Sequence, residues 1–145
     1  MLGLIIGLVN QAFGAVEERF ISQIGDTEPT PDATSTNRPI TLSRSSTTTS
    51  PGELVGMKVR IRNAQEDDQT IKPSIDCSAD VIEEDSEQAN ARLIPANGEE
   101  IYDHFIFRTA AGIAEAPYLC EIIAVDDNEE KIDEIRSADF TIHIQ

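Results

Sequence analysis

Residues 53–62, ELVGMKVRIR, put Val55, Met57, Val59 and Ile61 at every second position, with Gly56, Lys58, Arg60 and Arg62 between them. Successive side chains of a β-strand point to opposite faces, so this period of two predicts a strand with one face in a core and the other toward water. The same reading extends toward the C-terminus. Thr70–Ile75, Ala79–Ile82 and Ala91–Ile94 are shorter runs, and Asn97-Gly98 is a turn signal. IYDHFIFR (101–108) alternates at first and then becomes more fully apolar. PYLCEIIAV (117–125) and ADFTIHIQ (138–145) complete the set, with Phe140, Ile142 and Ile144 facing one way and Thr141 and His143 the other. Seven or eight short strands separated by turns predict an antiparallel sandwich. Within EEKIDEIR (129–136), Ile132 and Ile135 are spaced as in a single helical turn.

Upstream, residues 25–52 are dominated by Thr, Ser and Pro and read as an extended connection. Ile40 and Leu42 alternate with Thr41 and Ser43, which allows a short strand inside it. The hydroxyl density suits O-linked glycans on an exported surface. There is no N-x-[ST] sequon in the chain.

Residues 1–16, MLGLIIGLVNQAFGAV, carry no charge. With no proline before the Gly25-Asp26 breaker, residues 1–24 predict a helix of roughly 36 Å at about 1.5 Å per residue. It grades from apolar (Met1 to Val9) to amphipathic, with Val16, Phe20, Ile21 and Ile24 at helical spacing. Gly3 and Gly7 form a G-x-x-x-G pair that admits close approach of another helix. No Lys or Arg precedes Arg19, which argues against a cleaved signal peptide. Asn10 and Gln11 fall in the middle of the run, which argues against a solitary lipid anchor. Burial against copies of itself satisfies both constraints. About ten apolar side chains at roughly 1.5–3 kcal/mol each would outweigh the net stability of a marginal domain. Copies related by a non-closing operation extend into a filament.

The chain has 145 residues, with 11 basic against 27 acidic side chains, for a net charge of −16. Such a field repels nucleic acid and anionic headgroups. Two cysteines, Cys77 and Cys120, fit one disulfide in an exported protein, the alternative being two reduced, buried thiols. There is no CxxC, and His104 and His143 stand alone on strand patterns, so neither zinc nor another cofactor is expected. The acidic clusters at 66–68, 83–85 and 126–130 lack the calcium-loop spacing and its glycine, and read as solvated loops. With no nucleophile elbow, phosphate loop or H-E-x-x-H, the chain does not read as an enzyme.

Two resemblances follow. Tyr118 stands two residues before Cys120, a Y-x-C arrangement that resembles the tyrosine corner and inter-sheet disulfide of immunoglobulin-type sandwiches, though without the tryptophan between the cysteines. The layout of an apolar N-terminal helix, a short connection and a β-rich domain resembles the mature subunits of archaeal type IV pili and archaella. Ile5, where bacterial type IV pilins usually carry glutamate, disfavours the bacterial branch.

The resemblance implies an α+β chain in three parts: a polymerisation helix over 1–24, a connection over 25–52 and an immunoglobulin-like β-sandwich over 53–145. Leu2, Gly3, Leu4, Ile5, Ile6, Gly7, Leu8, Val9 and Phe13 would pack in the filament core. It also implies a homopolymer outside the cell, held in the membrane before assembly, serving adhesion or motility. A membrane-anchored cell-surface binding module and a viral structural protein are the alternatives.

Overall fold

The computed structural model describes residues 29–145, apart from Thr36 and Asp85. Eight strands follow in order: β1 (Ile40–Leu42), β2 (Ser46–Thr49), β3 (Leu54–Arg62), β4 (Gln69–Cys77), β5 (Arg92–Ile94), β6 (Glu99–Arg108), β7 (Ala116–Val125) and β8 (Ala138–Ile144). They form one sheet ordered β1-β3-β6 and another ordered β2-β8-β7-β4-β5. The first, second and fifth strands of an immunoglobulin sandwich share one sheet, and the third, sixth and seventh the other. Here β1, β3 and β6 supply the former and β4, β7 and β8 the latter. The first strand is split, β1 pairing antiparallel with β3 and β2 parallel with β8. The fold is an immunoglobulin-like sandwich.

The core lies between the sheets. Val55, Met57, Val59 and Ile61 of β3 face Ile122 and Ala124 of β7 and Phe140, Ile142 and Ile144 of β8 in one buried cluster. The loss of alternation in 101–108 has a structural cause. Met57 pairs with Phe105 and Val59 with Tyr102, so two residues of β6 oppose Lys58. This β-bulge resets the phase and turns Tyr102, Phe105 and Phe107 all inward. Phe107 then meets Phe140 edge-on, with ring centroids 6.5 Å apart.

Pro73 sits inside β4, opposite Ala124 of β7. The neighbouring β5 pairs only with Gln69–Ile71, and beyond it the N–H of Ile75 turns outward to a Glu87 carboxylate oxygen at 2.6 Å. Pro73 has the same parity as Ile75, so its missing donor falls on this uncovered edge and no ladder bond is lost.

Several expectations require correction. The described residues are all-β, not α+β, and contain no helix. The helix expected over 1–24, with Leu2, Gly3, Leu4, Ile5, Ile6, Gly7, Leu8, Val9 and Phe13, lies outside the described residues. Residues 129–136 form turns: Ile132 N–H bonds the Ala124 carbonyl at 2.9 Å and Ile135 N–H the Ile132 carbonyl at 3.1 Å. Both isoleucines are buried, so a three-residue spacing that suits a helix is met by a turn folding back on β7. Ala79–Ile82 forms only an isolated bridge, Ile82 to Thr109. The sandwich begins before residue 53, because β1 and β2 arise within the Ser/Thr/Pro-rich stretch. Among the described residues no helix is long and apolar enough to cross a membrane.

Candidate functional site

The outward residues of β3 and the start of β6 build a clamp for the chain that enters the sandwich. Arg62 pairs in register with Glu99, and Arg60 lies two residues away on the same face. The Glu99 carboxylate accepts hydrogen bonds from Arg60 Nη2 and the Thr34 hydroxyl, with Arg62 Nη2 at 3.5 Å. Arg62 Nε donates to the Thr34 hydroxyl oxygen at 3.2 Å and its Nη2 to the Thr34 carbonyl at 3.3 Å. Arg60 Nη1 reaches the Pro31 carbonyl at 3.4 Å, and the Thr41 hydroxyl donates to the Asp32 carbonyl at 2.5 Å. Pro31 and Thr34 are buried as a result.

Hydrogen bonds from Arg60 and Thr34, aided by the charges of both arginines, pull the Glu99 carboxyl down to about 2, against the opposing effect of burial. Glu99 is therefore ionised across the ordinary pH range. Side-chain exposures of 22% for Arg60 and 28% for Glu99 make this a half-buried network, in which pairing is worth more than at an open surface.

The disulfide lies on the other sheet. Cys77 and Cys120 are bonded, and they stand directly opposite each other on β4 and β7 with Cα atoms 4.0 Å apart. The bond therefore staples two neighbouring strands of one sheet, not the two sheets to each other, which corrects the inter-sheet placement implied by the Y-x-C resemblance. The tyrosine of that motif does form a corner: the Tyr118 hydroxyl donates to the Ala114 carbonyl, four residues upstream, at 2.8 Å. On the outer face of the same sheet, Leu119 is exposed.

His104 and His143 are exposed on β6 and β8, on different sheets. The acidic loops hold turns. Asp126 accepts from the N–H groups of Asn128 and Glu130 at 2.9 and 3.0 Å, and Glu129 pairs with Lys72 at 2.8 Å. Among the described residues, no three His, Cys, Asp or Glu side chains gather as a metal site would require. The clamp was missed in sequence because Glu99 lies 39 residues from Arg60. The one available signal was a pair of arginines on the polar face of β3.

No protein-family model matches the chain, and no curated protein matches it. Among solved structures it is similar to a FixG-related protein from Vibrio parahaemolyticus, at 11% identity over 65% of this chain and 81% of that one, with a TM-score of 0.46. It is also similar to a family 123 glycoside hydrolase from Clostridium perfringens, at 9% identity over 69% of this chain and 22% of that one, with a TM-score of 0.48. The PapD-like domain 7 of human CEP192 matches at 14% identity over 81% of this chain and 91% of that one, with a TM-score of 0.39. The immunoglobulin-like assignment rests on this chain's own strand order.

Proposed function

We propose that the chain is a structural subunit of an extracellular filament of the type IV pilus kind, in which the apolar N-terminal segment is buried among copies and the sandwich lies outside. The observation that carries this reading is the clamp. Arg60, Arg62 and Glu99 grip Pro31–Thr34 at one end of the sandwich, so the described chain enters the domain at a fixed point. A fixed entry point suits a filament subunit, whose outer domain has to be oriented relative to the core.

The −16 charge keeps outer domains from associating sideways. Exposed Ser45, Ser46, Thr48 and Ser50 offer sites for O-linked glycans. Before assembly the apolar segment resides in the membrane. The role is structural, and adhesion or motility follows from what the filament touches.

The test is extraction of the full chain without detergent. Sedimenting fibres in negative-stain micrographs are expected. Recovery only as detergent-bound monomers would instead support a membrane-anchored surface module, a reading that the exposed Leu93 and Leu119 on the five-stranded sheet also suit.

A further inference from the structure

The split of the first strand leaves a slot in the side of the sandwich. The strand β2 covers β8 only from Thr141 onward, so Ala138–Phe140 form an uncovered edge. Thr141 N–H turns toward β2 and bonds the Ser45 carbonyl at 3.1 Å. Asp139 precedes Thr141 by two residues, so its N–H faces the same way, into the gap between β8 and β1. This gap is an open cavity of about 370 Å³, walled on its apolar side by Ile40 and Leu42. Three arginines line it, Arg38, Arg44 and Arg136, together with Asp139.

Two of the three, Arg38 and Arg136, run against the composition. With 27 acidic side chains to 11 basic ones, an arginine in this protein finds a carboxylate almost anywhere. Arg60, Arg62, Arg92 and Arg108 all do. Arg38 has only Asp32 at 4.0 Å, with the two side chains 66% and 82% exposed. Arg136 is exposed and makes no hydrogen bond or ion pair among the described residues. Arg44 is fixed in place, donating from Nη2 to the Gly56 carbonyl at 2.6 Å and from Nη1 to the Thr47 hydroxyl at 3.3 Å. Two exposed arginines and one anchored arginine thus line a cavity that also presents a backbone donor.

We propose that this slot binds an oxyanion, a carboxylate or sulfate carried on a small ligand such as an acidic saccharide unit. Guanidinium forks match planar carboxylate and tetrahedral sulfate in bidentate geometry. The volume lies within the range of small-ligand sites, and the half-buried Leu42 would pack against the carbon skeleton of a sugar ring.

The experiment is equilibrium dialysis of the full chain against labelled glucuronate and labelled inorganic sulfate, with glucose as the neutral control. Saturable binding of at least one anion at one equivalent per chain, and none of glucose, is expected. Tighter binding of glucuronate identifies a saccharide site, and equal binding a site that reads the anion alone. Arg38→Gln and Arg136→Gln alter exposed side chains and leave the fold intact, and each should weaken binding on the order of tenfold. Arg92→Gln, on β5 and outside the slot, should leave it unchanged. Absence of saturable binding overturns the proposal, as does binding that neither slot variant weakens.

Discussion

The hydroxyl of Tyr102, on β6, donates to the main-chain carbonyl of Ile71, on β4, so a polar contact joins the two sheets through the apolar core. Burial pushes the Tyr102 phenol well above its ordinary value. Tyr102→Phe keeps the ring but strands a buried carbonyl, and should cost about 1–3 kcal/mol in urea unfolding. The folded state holds this proton more tightly than the unfolded chain does. Its stability contribution is therefore full below about pH 10 and falls as pH rises further. The Phe variant should lose that alkaline slope, and an identical slope in both proteins would refute the assignment.

Glu99 carries the opposite pH signature. Its pKa is depressed to about 2 in the folded state. The contribution is present above the unfolded value of about 4.3 and lost as pH falls toward 2. Glu99→Gln should lower stability at neutral pH by about 1–3 kcal/mol and flatten the acid limb of the stability profile. It should also release Pro31–Thr34, seen as faster amide exchange there than in β3. Unchanged exchange would show that the clamp does not hold the segment.

Reduction of Cys77–Cys120 opens a link across 43 residues of sequence. The chain-entropy relation gives roughly 4 kcal/mol for such a loop. Paired Cys77→Ser and Cys120→Ser substitutions should shift the urea midpoint accordingly, with little change in far-ultraviolet circular dichroism, because the β4–β7 ladder continues to Lys72–Val125 without the bond.

Asn63 is fully buried and fully bonded. Its Nδ2 donates to the carbonyls of Asp67 and Ile94 at 2.8 and 2.9 Å, and its Oδ1 accepts from Gln65 N–H at 3.0 Å. Asn63→Asp replaces the donor with an acceptor facing two carbonyl oxygens. It should therefore destabilise more than Asn63→Ala, which should itself cost about 1–3 kcal/mol. Thermal unfolding of the two variants in parallel would check the order.

The strands with one face in the core were legible because a buried face writes itself as alternation, as in Val55–Ile61 and Phe140–Ile144. The strand β2 was not. Ser46–Thr49 carries no apolar residue, and what makes it a strand is the distant ladder to Thr141–Ile144. Cysteine pairing was readable from the count of two, but its placement within one sheet depends on the register that sets Cys77 opposite Cys120. Similarly, Ile132 and Ile135 announced burial correctly, while the turn that buries them is closed by a bond to Ala124 that no local pattern encodes. Long-range register, more than local propensity, separates what could be read from what could not.

The parallel course of β2 and β8 has a mechanical consequence. The chain leads into β2 from the end of the sandwich where β8 starts, and β8 runs out beside Thr49, where Gln145 N–H bonds the Thr49 carbonyl at 2.9 Å. Tension applied to the two flanks draws β2 and β8 in opposite directions along their length. The rungs from Ser46–Thr141 to Thr49–Ile144 then bear the force together, in shear, and cannot be unzipped one at a time.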